Sequence, residues 1–194
     1  KYLGVILDSH LHWKPHIENV CTKLSRANGA LFRARRLFPT AVLKSLYFVL
    51  IQCHLLYCVE SWGHTHQSYL KPVEVLQNRA VRIISNTYNR QSYSCIYKTL
   101  HILPFNLLRF ERTVLMVNFC ILNEGIIDGI KLVSVNRTSR TVLEHHFIVQ
   151  CFSNIYGKRL LQHQGVIKWN SLPLDVVVAK HFKLAVRRFL FESC

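Results

Sequence analysis

Acidic residues are scarce in this sequence. Ten Asp and Glu side chains occur among 194 residues, and no two of them are adjacent. Polymerases and nucleases that use two metal ions need two or three carboxylates that converge on one site. The chain therefore offers no candidate two-metal centre of its own, and we predict no catalytic residue in it.

Glycine is also sparse, and its pattern excludes several enzyme classes. The seven glycines are spread along the chain, and none of the motifs GxGxxG, GxxxxGK(S/T) or GxSxG occurs. Phosphate-cradling loops and nucleophile elbows depend on these glycines, because the backbone must turn tightly or approach its ligand closely. The sequence therefore argues against a nucleotide-binding loop and against an α/β-hydrolase.

The seven cysteines form an odd set with no CxxC pair. Cys53, Cys58, His64 and His66 could supply four zinc ligands, but their spacing differs from that of common zinc fingers. Cys53 and Cys58 lie in a strongly apolar segment, where a free cysteine behaves as a small hydrophobic residue. We predict no metal site and a reduced, intracellular protein, nuclear or cytoplasmic.

Long hydrophobic runs are absent as well. The most apolar stretch, residues 45–59, is interrupted by Gln52 and His54. A membrane-spanning helix needs about 20 apolar residues. We therefore expect a buried helix here and no membrane partner.

Positive charge is what the sequence has in excess. It contains 25 Lys and Arg against 10 Asp and Glu, a formal net charge of +15 with neutral His. The basic residues occur throughout the chain and do not form a tail. Such an imbalance favours a polyanionic partner, of which nucleic acid is the commonest.

Apolar residues recur at helical spacing along most of the chain. One stripe runs from Pro15 to Pro39, and further segments start at Pro72 and run from Pro104 to residue 123. Residues 40–60 are apolar almost all round, so we expect a core helix there. Shorter helices are expected near residues 92–103 and 180–192. The sequence thus predicts a mainly α fold, a helical bundle.

The two ends of the chain lack the long helical pattern of its middle. Residues 1–13 are predicted to form a short β-hairpin, with strand-forming residues on both sides of a turn at Asp8 and Ser9. Residues 124–165 are predicted to be loop-rich, with candidate strands at 130–135 and 147–151. We therefore predict three regions, residues 1–13, 14–123 and 124–194, the last ending in a helix.

Basic residues gather on the helix faces opposite the apolar stripes. On the first helix they fall within about 140° of one another by the 3.6-residue period, and a second row follows Pro72. The two rows consist of Lys23, Arg26, Arg33, Arg36, Lys71, Arg79 and Arg82. These seven are the candidate nucleic-acid-binding residues. The alternative is that both faces are ordinary solvated surface.

The order of short motifs resembles one family. KYLGVILD, KPHI, SWG, LQNRAVRIIS, LHILPF and YGKRLLQHQGVIKWNSLP follow one another across nearly all of the chain. In this order they resemble the C-terminal part of the reverse transcriptase of non-LTR (LINE-type) retrotransposons, closest to the jockey-like group. KYLGV resembles the strand that leads from the palm into the primer-grip region, LQNRAVRIIS a helix of the thumb, and KWNSLP a signature near the end of the reading frame.

The resemblance implies a supporting role in an RNA-directed DNA polymerase. Residues 1–13 would be a remnant of the palm, 14–123 a thumb-like bundle and 124–194 the C-terminal region. The bundle would grip the RNA template and the RNA/DNA duplex, with Tyr2, Leu3, Gly4 and Val5 in the primer-grip region. The missing fingers and palm of the parent polymerase would be its protein partner.

The resemblance also implies that this chain is inactive alone. The Phe/Tyr-x-Asp-Asp turn of the family's palm, which binds Mg²⁺, has no counterpart in the sequence. No catalytic residue and no cofactor can therefore be carried over to it. Two alternatives remain open: a non-functional transposon relic, and a host-adopted RNA-binding protein.

Overall fold

The computed structural model describes residues 1–86, 92–123 and 146–193. The helices are α1 (Lys14–Ala34), α2 (Thr40–Tyr47), a π-helix (Phe48–Gln52), α3 (Cys53–Leu56), α4 (Val59–Trp62), α5 (Gln67–Ser85), α6 (Tyr93–Leu100), α7 (Phe105–Leu122), α8 (Ile155–Arg159), α9 (Leu161–Asn170), α10 (Leu174–Val177) and α11 (Phe182–Glu192). The prediction of a mainly α fold is confirmed.

The chain divides into two compact units, Lys1–Leu108 and Arg109–Ser193. The core of the first unit contains large side chains with no exposed surface, among them Leu24, Tyr47, Leu55, Trp62 and Leu70. The second unit is built around buried residues of α7, α9 and α11, such as Val114, Val117, Val166, Trp169 and Val186. The three-region division made from the sequence stays a prediction.

Helices α1 and α5 run side by side in the first unit and in the same direction. Residues near the start of α1 line a cleft with Ser68 and Pro72 at the start of α5. Further along, the Asn28 side-chain amide donates to the Leu76 carbonyl at 2.9 Å. The C-terminal ends of both helices therefore meet on the same side of the unit.

The predicted core helix at residues 40–60 is interrupted. It is helical through Leu56, but Tyr57 is extended and Cys58 adopts a left-handed conformation (φ 50°) before α4 begins. Every fourth residue of this segment is buried: Leu43, Tyr47, Ile51, Leu55 and Val59. In an α-helix this spacing would drift by about 40° per step. The wider turn of the π-helix reduces that drift and holds these residues against the core.

The opposite face of this segment is not buried, contrary to the expectation of burial almost all round. The Val49 side chain is 66% exposed and Val42 is 39% exposed. The segment is therefore a helix packed along one side rather than one enclosed by the bundle.

The short β-hairpin predicted for residues 1–13 is not confirmed. Tyr2 and Val5 form an isolated antiparallel bridge, in which the N–H group of each donates to the carbonyl of the other at 2.8 Å. Leu3 and Gly4 make the turn between them, and Gly4 has a φ of 84°, a conformation that favours glycine. The front of the chain is thus one tight turn.

The Asp8 side chain explains why residues 11–13 do not return as a strand. Asp8 does form a turn, as predicted, but its carboxylate accepts the N–H groups of His12 and Trp13 at 2.9 and 2.8 Å. These bonds fold the backbone toward the start of α1. Leu11 and Trp13 consequently have positive φ values, which an extended strand excludes.

The candidate strand at residues 147–151 is not formed either, and the one at 130–135 lies outside the described residues. Phe147 bonds instead to a side chain of α9: its N–H donates to Asn170 Oδ1 at 3.0 Å, and its carbonyl accepts from Asn170 Nδ2 at 2.8 Å. The side-chain amide of Asn170 therefore bonds to both backbone groups of Phe147.

Within residues 1–86, 92–123 and 146–193, no helix is long and apolar enough to cross a membrane.

Candidate nucleic-acid interface

The structure places the basic residues of the first row on and just beyond α1. Arg26 and Arg33 are exposed and lie on the side of the helix away from its buried residues. They are seven residues apart, which sets them about 20° apart around the axis and about 10 Å apart along it. Arg36 is exposed in the turn after the helix ends. These three side chains can track a polyanion along one surface.

Lys23 lies at the edge of this row, beside a cleft. The cleft is lined by Gly4, His16, Val20, Lys23, Cys53, His54 and Tyr57. Burial, with a smaller contribution from the Lys23 charge, lowers the pKa of His16 and of His54. The Tyr57 hydroxyl also donates to the Leu3 carbonyl, which fixes the front turn against this cleft. The structure thus brings Lys23 together with Gly4, a residue of the predicted primer-grip region.

The second row divides into two parts on α5. Arg79 and Arg82 are exposed and one helical turn apart near the C-terminal end. Lys71 lies about two turns earlier, and its ammonium group forms an ion pair with Glu74 at 3.5 Å. Glu74 also accepts from Gln67 Nε2 at 2.7 Å. Lys71 is therefore partly neutralised and stands apart from the two arginines.

A third arginine, Arg35, joins Arg79 and Arg82, and the sequence analysis missed it. The three guanidinium groups border a cavity of about 340 Å³ that we call the arginine groove. It is lined by Phe32, Arg35, Val75, Arg79, Arg82, Ile83 and Tyr93. The Arg82 guanidinium lies 4.1 Å from the Tyr93 ring centroid, and that of Arg35 lies 4.9 Å from the Phe32 ring centroid.

Arg35 was missed because the helical pattern places it on the apolar side of α1. The helix ends at Ala34, and Arg35 caps it, its N–H donating to the Leu31 carbonyl at 2.9 Å. From this position its side chain reaches the groove beside α5. The signal in the sequence was the run FRARR, in which Arg35 and Arg36 cannot both face away from the core.

Two polar residues of the LQNRA motif, the buried Gln77 and the half-buried Asn78, hold α5 in place. Gln77 Nε2 donates to the Tyr47 hydroxyl at 2.8 Å and to the Leu103 carbonyl at 3.0 Å, and Gln77 Oε1 accepts the Phe105 N–H at 2.7 Å. Asn78 Oδ1 accepts from the Tyr97 hydroxyl at 2.8 Å. The motif thus fixes the helix that carries Arg79 and Arg82 against α2, α6 and the start of α7.

The KWNSLP motif, in the second unit, contains a half-buried cation. Lys168 Nζ donates to Thr113 Oγ1 at 3.3 Å, and burial, helped by the charge of Arg109, lowers the lysine pKa to about 8. Thr113 itself donates to the Arg109 carbonyl at 2.6 Å. This environment makes the charged form of Lys168 less favourable than it is in water, so the charge opposes folding at neutral pH.

Replacing Lys168 with methionine is expected to raise the free energy of unfolding at pH 7 by about 1–2 kcal/mol, after discounting for partial solvent screening. In the unfolded chain the lysine pKa is 10.5. Between about pH 8 and that value the unfolded state binds more protons, so the native chain should gain stability as pH rises. Denaturant unfolding at several pH values measures both effects. The rise should be absent in Lys168→Met and unchanged in Lys158→Met, which alters an exposed lysine nearby.

Among residues 1–86, 92–123 and 146–193, no group of three or more His, Cys, Asp or Glu is placed to hold a metal ion.

Comparison with known proteins relates part of this chain to transposon polymerases. It is 30% identical over 89 residues to the "Probable RNA-directed DNA polymerase from transposon BS" of Drosophila melanogaster. It is 29% identical over 89 residues to the "Probable RNA-directed DNA polymerase from transposon X-element" of the same species. Each alignment covers 44% of this chain and 10% of the relative. These matches support a relationship to reverse transcriptases.

No family model matches the chain, and no solved structure matches it.

Proposed function

We propose that the chain contributes template–primer gripping in a reverse transcriptase of the non-LTR, LINE type, most similar to the jockey-like group. In this role residues 14–123 act as the thumb, and the catalytic carboxylates belong to the palm of the parent polymerase. The observation that carries the proposal is the basic surface of the first unit, where Arg26, Arg33 and Arg36 on one side and Arg79 with Arg82 on another are exposed. The similarity to transposon polymerases supports it independently.

The grip is expected to act on phosphates and not on base edges. Guanidinium groups on helix faces contact backbone phosphates well, but they read sequence only when the helix enters a groove. Binding should therefore be tight but nearly independent of the base sequence, as a polymerase that copies any template requires. The partners are an RNA template and the RNA/DNA duplex formed on it.

Binding to an RNA/DNA duplex is expected to weaken steeply with salt. If the basic rows contact about five phosphates, the logarithm of the association constant should fall with log salt at a slope near −4. Replacing Arg79 and Arg82 with alanine should reduce that slope by one to two units and weaken all duplex sequences about equally. Fluorescence anisotropy over a salt series, with two unrelated duplex sequences, gives both numbers.

The matched control removes the same charge from the other unit. Lys180 and Arg188 are exposed there, and replacing both with alanine should leave the slope within about half a unit. A slope near zero in the native chain, or a loss confined to one duplex sequence, would contradict the proposal. Either result would favour the transposon-relic alternative.

A further inference from the structure

The arginine groove has a chemistry that duplex gripping does not require. Among the residues that the structure describes, its lining includes three arginines and no carboxylate, so three like charges face one cavity. Neighbouring like charges repel, and a bound anion relieves that repulsion. Arg35 and Arg82 also lie at the C-terminal ends of α1 and α5, where helix dipoles favour cations. The dipoles account for cations at these helix ends, but not for their convergence on one cavity.

The floor of the groove is apolar. Ile83 is buried beneath it, while Phe32 is 43% exposed and Val75 is 54% exposed at its sides. The backbone of an intact duplex presents phosphates and sugars, with its bases stacked inside, so it has nothing flat and apolar to place in such a cavity. An unpaired base does, and it gains by leaving water.

The Arg82–Tyr93 pair provides a stacking platform beside this floor. The two groups are in cation–π contact, and the Tyr93 ring is 36% exposed. Proteins that hold single-stranded nucleic acid stack bases on aromatic rings and on arginine planes in this way. The volume of about 340 Å³ is near the lower end of the range for small-ligand pockets, which suits one nucleotide.

We propose that the arginine groove binds one unpaired nucleotide of the bound nucleic acid. Its base lies against Tyr93 and the apolar floor, and its phosphate contacts Arg35, Arg79 and Arg82. The inference rests on the proposed function, because the unpaired nucleotide belongs to the strand that this unit grips. The chain is therefore expected to bind a duplex with a frayed or overhanging end more tightly than a blunt one.

The test compares RNA/DNA duplexes with the full chain in fluorescence anisotropy. One duplex is blunt, one carries a single unpaired 3′ nucleotide, and one carries an abasic residue at that place. The unpaired nucleotide should strengthen binding about tenfold over the blunt duplex, the size of one stacked base. The abasic residue should strengthen binding less than about twofold over the blunt duplex, because it keeps the phosphate but lacks the base.

Variants of Tyr93 then assign the effect to the groove. Tyr93→Ala should reduce the tenfold advantage to less than about twofold, and Tyr93→Phe should keep it, because the ring remains. Tyr156 is a matched control, since it is also exposed and has the Arg159 guanidinium 5.9 Å from its ring centroid. Tyr156→Ala should keep the advantage in full.

The outcomes separate this inference from the proposed function. Salt-sensitive binding of the blunt duplex with no gain from the unpaired nucleotide would overturn the inference and leave the gripping role intact. Tyr93-dependent binding of a single-stranded oligonucleotide, with no binding of any blunt duplex, would support the groove and overturn the gripping role. A free nucleoside monophosphate that binds as tightly as the overhanging duplex would overturn the assignment to a strand end. Absence of all binding would overturn both.

Discussion

Replacing Gln77 with leucine is expected to lower the free energy of unfolding of the first unit by about 3–5 kcal/mol. Leucine has a similar size, so the expected loss comes from hydrogen bonds and not from a cavity. The change leaves the Tyr47 hydroxyl, the Leu103 carbonyl and the Phe105 N–H without the partner that Gln77 provides. Each buried polar group left unpaired costs about 1–3 kcal/mol.

A glutamine on the same helix supplies the control. Gln67 bonds to Glu74 on the exposed surface, so Gln67→Leu should change the free energy of unfolding by less than about 0.5 kcal/mol. Denaturant unfolding followed by far-UV circular dichroism measures both variants. Equal, small effects of the two substitutions would mean that Gln77 does not join α5 to α2 and α7 as the structure indicates.

Replacing Trp62 with alanine is expected to lower the free energy of unfolding of the same unit by about 3–5 kcal/mol, the usual range for a buried tryptophan. The side chain has no exposed surface, and its ring stacks on Phe105 with centroids 5.7 Å apart. Its Nε1–H donates to the Tyr57 carbonyl at 2.9 Å. The change therefore opens a cavity and leaves a carbonyl without its donor where the chain turns from α3 into α4.

Two further variants divide this effect. Trp62→Phe keeps an aromatic ring against Phe105 but lacks the N–H donor, so it should lose about 1–2 kcal/mol. Trp13→Ala removes a half-buried tryptophan of the same unit and should cost less than half as much as Trp62→Ala. If Trp13→Ala were the more damaging change, the core of this unit would not be centred on Trp62.

Helix positions followed from the sequence where the apolar period was long and proline marked a boundary. The helix predicted from Pro104 to residue 123 matches α7 closely. The one predicted from Pro15 to Pro39 begins where α1 begins, but α1 already ends at Ala34. The break at Cys58 could not be predicted, because a cysteine in the left-handed conformation carries no glycine or asparagine signal. The front hairpin was expected from β propensity and a turn signal at Asp8 and Ser9, and the Asp8 side-chain bonds overrode the return strand.

The candidate interface could be predicted only in part from the sequence. Helical spacing identified the exposed rows on α1 and α5, but it could not show that Lys71 pairs with Glu74 or that Arg35 reaches Arg79. These contacts depend on how two helices pack and where one of them ends. The role of Gln77 can be inferred more easily from the sequence, since this residue falls on the same helical face as Val73, Ala80 and Ile84. A polar residue at such a position indicates a buried hydrogen-bonding role.

The division into two compact units gives the chain a built-in optical readout. Trp13 and Trp62 belong to the first unit, and Trp169 belongs to the second. In a variant that lacks Trp169, indole emission reports on the first unit alone. In a variant that keeps only Trp169, it reports on the second. The melting of either half can thus be followed separately in the intact polypeptide, without cutting it.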